Sequence, residues 1–286
     1  MPKYHCTLPG GYVDDAGRVM RDVTLLPLSG FSERLIAEKR CLSSPALTTA
    51  LLAGCIGRIG DRDDVSPGMV RSLLVGDRQY LLLKLREITF GSDIRGIIRC
   101  SWPDCGAKMD IDFPMDRIPV KSVPQTGRLY TMRRAEASGP REITFRLPDG
   151  NDQEALCRLV EEDETAAADM LLARCIQDVT PADIAVLAPA TKRAVEEAMK
   201  QLAPSIELSM EAFCPECRRP FVAFFDLERF ILDELRTNLD LLLQEVHYLA
   251  FHYHWSEREI LGMSRENRRR YIDILSAHME QMHDAR

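Results

Sequence analysis

The spacing of apolar and polar residues changes several times along this chain, and each change marks an element. Residues 4–28 read as extended. Tyr12-Val13 and Val19-Met20 flank Asp14-Asp15-Ala16-Gly17, a turn sequence ending in glycine, so a hairpin is predicted. The segment has too few apolar residues for its own core. It reads as an N-terminal β arm, residues 1–30, lying on another surface, with Leu25, Leu26, Pro27 and Leu28 as the stripe that needs a partner. Ser32-Glu33 opens a short helix. Ser44-Pro45 then sets an N-cap before a proline at the first helical position. Leu47, Ala50, Leu51, Gly54, Cys55 and Ile59 continue at helical spacing, which carries that helix to about Ile59. Ser66-Pro67 repeats the start signal. Gly76 is expected to break the helix and Asp77 to cap the next, and the leucine run at 80–88 fits either a helix or a buried strand.

Two cysteine pairs follow, each between strand-like flanks. Ile97-Ile98-Arg99 leads into Cys100-Ser101-Trp102-Pro103-Asp104-Cys105, and Lys108 to Phe113 leads out. Glu211-Ala212-Phe213 leads into Cys214-Pro215-Glu216-Cys217, and Pro220 to Asp226 leads out. Each reads as strand, tight turn with two thiols, strand. Two such knuckles face to face supply four thiolates, the donor set of a structural Zn²⁺. Reduced core thiols and a redox Cys-x-x-Cys are the alternatives. Redox motifs open a helix, whereas Pro220 and its apolar run read as a strand. Cys100, Cys105, Cys214 and Cys217 are therefore the candidate zinc ligands. Four residues separate the first pair, and Arg218 stands where a glycine often completes the turn.

Residues 119–204 read as an insertion between the halves of one zinc unit (31–118 and 205–226). It holds a second hairpin (128–132 and 142–147, joined by 135–140), which could extend the first. Helices are predicted at about 152–161 and 164–177, then in pieces from Pro181 to Leu202. The run 205–211 alternates as a half-buried strand. Asp226 caps a long helix from Leu227 to about Phe251, Ser256-Glu257-Arg258-Glu259 is a capping box, and a last helix runs from Arg265 to about Met282. The C-terminal helical region is 227–286. The expected class is α+β, a zinc-ribbon-like β unit surrounded by helices.

Composition narrows the function. The chain has 286 residues, 45% apolar and 28% charged, which describes a soluble globular protein. No apolar run reaches the ~20 residues of a membrane span, and the N-terminus lacks a signal-peptide core. Nine cysteines, an odd number, point to a reducing cytoplasm. The net charge of −7 disfavours nucleic acid as a partner, because the whole chain gains no counterion-release energy. Arg268, Arg269 and Arg270 form a basic patch near Arg265, read as a solvated or partner-facing helix edge. His252 and His254 lie about 200° apart on a helix, the wrong spacing for a catalytic zinc. No phosphate-binding glycine loop and no Gly-x-Ser-x-Gly elbow occur. An enzyme is not expected.

Several stretches together resemble a known family. They are Gly10-Gly11-Tyr12-Val13-Asp14-Asp15 through Leu26-Pro27-Leu28-Ser29-Gly30; the run from Val75-Gly76-Asp77-Arg78 to Thr89-Phe90-Gly91; the two knuckles; and His252-Tyr253-His254-Trp255-Ser256 with Arg268-Arg269-Arg270-Tyr271. This order resembles the T-even-type phage baseplate hub assembly family, also found in contractile tail and injection-system clusters. The resemblance covers most of the chain, least so 119–204, and the first cysteine spacing departs from it. It implies a non-enzymatic chaperone for hub or spike proteins, or a minor baseplate component retained in the particle. Tyr12, Leu26, His252, Tyr253, His254, Trp255 and Arg268 to Arg270 are then the expected partner-facing residues. A zinc-ribbon nucleic-acid adaptor is the alternative.

Overall fold

The turn at Asp14 makes its hairpin, but the hairpin does not stand off as an arm. The structure is a computed structural model that describes residues 3–39, 42–124, 127–136, 139–177, 179–207, 209–224, 227–235 and 239–284. β1 (Tyr4–Val13) and β2 (Val19–Leu25) pair antiparallel, and the Asp14 carboxylate accepts the Ala16 and Arg18 N–H groups within the turn. α1 (Gly30–Glu38) starts at an N-cap on Ser29, and α2 (Ser44–Cys55) begins at Ser44-Pro45. α2 stops at Cys55, short of the expected Ile59. The Cys55 carbonyl instead accepts the Leu26 N–H at 2.8 Å, and β3 (Ile56–Ile59) joins β2 as the third strand. Leu8, Val23, Leu25, Leu28, Ile56 and Ile59 are buried in the largest core.

α3 (Pro67–Arg71) is short, and α4 (Val75–Phe90) takes up the leucine run as a helix. Leu81, Leu82, Leu83 and Leu85 are all buried, as in a helix covered on every side. Gly76 and Asp77 neither break nor cap anything. They lie in the first turn of α4. The Pro204 carbonyl packs onto Gly76 so closely that a Cβ there would sit 2.1 Å from its oxygen. The Asp77 carboxylate accepts the Gly10 N–H at 2.7 Å and the Gly11 N–H at 2.9 Å, which pins the irregular stretch of β1 to the α4 N-terminus.

β4 (Asp93–Arg99) and β5 (Lys108–Pro114) form the first cysteine hairpin. After β6 (Val120–Lys121), β7 (Tyr130–Glu136) and β8 (Gly139–Phe145) form a hairpin that is a sheet of its own and does not extend the first; the tip of its expected loop, 137–138, lies outside the described residues. α5 (Gly150–Glu162), α6 (Glu164–Cys175), α7 (Pro181–Val186) and α8 (Pro189–Leu202) follow. They build a second core around Phe145, Leu172 and Val195. The expected strand at 205–211 divides. β9 (Ser205–Ile206) pairs with β6, and β10 (Ser209–Phe213) pairs with β11 (Pro220–Phe224); residue 208 lies outside the described residues. The helix expected from Leu227 is described as α9 (Leu227–Leu235) and α10 (Leu239–Tyr253), with Asp226 and 236–238 outside the description. α11 (Glu257–Leu261) opens on the predicted capping box, and α12 (Arg265–Asp284) ends the chain.

One unit occurs twice. In the first copy Leu25 faces Ile56 and the Leu26 N–H meets the Cys55 carbonyl; in the second Phe145 faces Ile176 and the Arg146 N–H meets the Cys175 carbonyl. Leu51-Leu52-Ala53-Gly54-Cys55-Ile56 matches Leu171-Leu172-Ala173-Arg174-Cys175-Ile176, and Gly30 and Gly150 stand equally far before the two cysteines. Each copy runs hairpin, two helices, short helix, long helix, cysteine hairpin.

Arg268 is not on a solvated edge. It is 0% exposed, donates to both Glu33 oxygens at 2.9 Å, to Glu245 at 3.0 Å and to the Met263 carbonyl at 3.0 Å. The same element puts Arg269 and Arg270 in solvent. Arg268→Ala removes both 2.9 Å hydrogen bonds from the buried Glu33 carboxylate, leaving Arg265 at 3.9 Å, and is expected to cost about 3–5 kcal/mol in urea unfolding, against about 0.5 or less for Arg269→Ala or Arg270→Ala. Equal losses would contradict the buried pair.

Burial lifts the Asp77 carboxyl to about 6, against the two glycine N–H bonds and the nearby Arg21 charge. An acid raised in the fold holds a proton that the unfolded chain has released. Its contribution is therefore present at low pH and is lost as pH rises from about 4 to about 6. Urea titrations across that range should show a wild-type slope of this sign, on the order of 3 kcal/mol in total, that is missing in Asp77→Asn. Parallel curves would refute it.

Candidate metal centre

Both cysteine turns are fixed by local backbone bonds. In the first, the Cys100 N–H donates to Ala107 at 2.8 Å, and Cys105 and Gly106 both donate to the Trp102 carbonyl. In the second, the Cys214 N–H donates to Arg219 at 3.1 Å and the Arg218 N–H to Cys214 at 2.9 Å. The residue after each second cysteine is left-handed: Gly106 at φ 60° and Arg218 at φ 55°. Arg218 thus adopts the glycine-favoured conformation without being glycine, at a cost on the order of 1 kcal/mol.

The two turns face one another. The four cysteine sulfurs lie within 4.8 Å of each other. Cys100 Sγ is 3.7 Å from Cys217 Sγ, and Cys105 Sγ is 3.7 Å from Cys214 Sγ, and each of these contacts joins the two hairpins. Cys100 and Cys214 are buried, Cys105 and Cys217 half-buried, and Phe221 and Ala223 close the inner side. Four such donors could hold a metal ion, and with all four bound a tetrahedral shell would leave no position for a substrate.

The two residues by which the first pair exceeds the second have a structural use. Asp104 accepts from Arg219 at 2.6 Å, and the Trp102 indole N–H donates to the Pro220 carbonyl at 3.1 Å. The Arg219 guanidinium lies 4.5 Å from the centre of the Trp102 ring. The longer turn therefore clasps the shorter one. Burial pushes the Cys100 thiol up to about 12. At Cys217 burial acts in the same direction, but Arg219 hydrogen bonds outweigh it and hold the thiol at about 6. A cation already stands beside the sulfur cluster. Sequence reasoning missed Trp102, Asp104 and Arg219; the unequal spacing of the two pairs was the available signal.

The other predicted residues are dispersed. Tyr12 is half-buried against the main core, and Leu26 is half-buried just beyond β2. His252 lies edge-on to Tyr248 and Phe251, at 4.9 and 5.0 Å between ring centres. Tyr253 stacks on Trp255 at 4.6 Å, and Tyr271 meets both edge-on. His254 is exposed, with φ 58°, at the end of α10. These aromatic residues form a packed helix corner, separate from the cysteines. No helix among the described residues is long and apolar enough to cross a membrane.

Neither a curated protein nor a solved structure matches the chain. The family described as T4 bacteriophage base plate protein matches residues 1–232, which takes in both cysteine hairpins and both copies of the repeated unit. The chain belongs to the T4 bacteriophage base plate protein family.

Proposed function

We propose that the protein is a non-enzymatic assembly factor, or a minor structural component, of a contractile-tail baseplate in a phage or a phage-derived injection system. It acts by binding hub, spike or other baseplate proteins, as a chaperone during assembly or as a retained part. The observation that carries this reading is family membership over residues 1–232. The absence of an open ligand position at the cysteine cluster supports a scaffolding role for that site. Burial of Arg268 takes one cation out of the patch a nucleic-acid adaptor would use, so protein partners are the preferred reading.

The metal proposed for the cluster is Zn²⁺. A tetrahedral zinc–thiolate site with bonds of about 2.3 Å places its sulfurs about 3.8 Å apart. Two of the four cross-hairpin sulfur distances are 3.7 Å, and all four sulfurs lie within 4.8 Å of one another. Zinc neutralises part of the charge of four ionised thiols and ties β4–β5 to β10–β11. Metal analysis of the purified protein should give about one zinc per chain, lost in Cys214→Ser together with stability. A stable, metal-free wild-type protein would contradict the assignment. Co-expression with hub and spike proteins of the same tail should yield a complex that survives size-exclusion chromatography. Failure to bind any tail protein would overturn the proposed role.

A further inference from the structure

A short helix followed by a long one occurs three times: α3–α4, α7–α8 and α11–α12. Each short helix is capped by a hydroxyl, on Ser66, Thr180 or Ser256. Each carries a buried aliphatic residue at the same place, Val70, Ile184 or Ile260. The fourth residue of each long helix is a cation, Arg78, Lys192 or Arg268. That cation reaches back to the helix before the pair. Arg78 donates to Thr49 at 2.9 Å, Lys192 to both Asp169 oxygens at 2.7 Å, and Arg268 to Glu245 at 3.0 Å.

Two of the three pairs carry a guest from elsewhere in the chain. The guest is a helix start that follows extended chain. The Gly150 N–H donates to the Leu73 carbonyl at 3.2 Å, and the Gly30 N–H donates to the Met263 carbonyl at 3.2 Å. The preceding residues bridge in the same way, Asp149 with Leu74 and Ser29 with Ser264. A side chain at either glycine would crowd the host cation: an added Cβ would lie 2.4 Å from Arg78 Nη1 or 3.0 Å from Arg268 Nη1. The fourth residue of each guest helix then meets that cation. Arg78 donates to Gln153 at 2.9 Å, and Arg268 donates to Glu33.

The pair α7–α8 has the host features and, among the described residues, no such guest. Ala185, Ala188 and Pro189 are exposed, whereas their counterparts in the occupied pairs, Arg71 and Leu261, Leu74 and Ser264, and Val75 and Arg265, are buried or half-buried. Lys192 keeps 18% of its side chain exposed, against 0% for Arg268. The two glycine-led helix starts, at Gly30 and Gly150, are already engaged within the chain.

We propose that α7–α8 is a docking site for a helix start of another protein: extended chain, then glycine, then a helix with a carboxylate as its fourth residue. The carboxylate follows from charge. Arg268 lies between two carboxylates, one from its own unit and one from its guest, and Lys192 holds the first of these in Asp169. This deepens the partner-binding role proposed above and rests on it for the source of the partner. The test uses a segment of this chain as probe, so its failure leaves the broader role standing.

The probe is a helix-stapled, fluorescent peptide of residues 24–39, which contains Ser29, Gly30 and Glu33, with a photoreactive group in its helix. Titrated with the full-length protein, it should bind saturably at one site and crosslink to residues 184–192. Lys192→Gln should weaken binding at least about tenfold, the loss of one charge-assisted hydrogen bond. A Gly30→Val peptide should bind wild-type protein just as poorly, which tests the site without a protein variant. No binding at about 1 mM peptide, crosslinks confined to 257–272, or indifference to both changes would overturn the proposal.

Discussion

Four cysteine sulfurs from two hairpins more than a hundred residues apart have to meet within a few ångströms, and much of the path between them serves that meeting. β6 pairs with β9 where the chain leaves the first hairpin and approaches the second. The Pro204 carbonyl lies against Gly76, so the returning chain comes back onto the central helix α4. Trp102, Asp104 and Arg219 then fasten one turn to the other around the sulfurs. Four thiols in so small a space could hold a metal ion.

Charge buried in pairs is the second organising device. Arg78, Arg86 and Arg268 are nearly or wholly buried, and each has a defined set of acceptors. Asp152 is buried between Arg146 and Arg174 in the second copy of the unit. Removing one member of such a set is costly, because the remaining charge has no water to turn to. These sets join segments that are distant in sequence: Glu33 to Arg268, Glu234 to Arg86. Both tie the first copy of the unit to the helices that follow the second, whereas the apolar cores supply most of the cohesion.

What could be read from the sequence was what local chemistry encodes. The Ser66-Pro67 and Thr180-Pro181 starts, the capping box at Ser256 and the turn at Asp14 act within a few residues and stand where the sequence placed them; at Ser44-Pro45 the helix starts one residue early, with its cap on Ser43 and no side-chain cap bond. The cysteine turns were legible for the same reason, and the four sulfurs do converge. Tertiary contacts were not legible. Ile56 and Ile59 continue the helical spacing of α2 and become a strand only because β2 is there to pair with. Gly76 looks like a helix breaker until Pro204 is placed beside it. Arg268 shares a surface-like spacing with Arg265 and Arg269, and its burial depends on Glu33 at the other end of the chain. The duplication was not read from the sequence, although the matching Leu-Leu-Ala-x-Cys-Ile runs carry it, because the helix-to-strand switch they encode is local.

A scaffold of this kind suits a baseplate protein that works by contact: distant hairpins clipped together, helix pairs that accept helix starts, and an aromatic corner near the C-terminus. The central claim is that the clip is a metal held by all four cysteines. X-ray absorption at the zinc edge of the purified full-length protein tests it most directly. The account predicts four sulfur neighbours at about 2.3 Å and no nitrogen or oxygen ligand. A shell containing nitrogen or oxygen donors, or only two sulfurs, would contradict it.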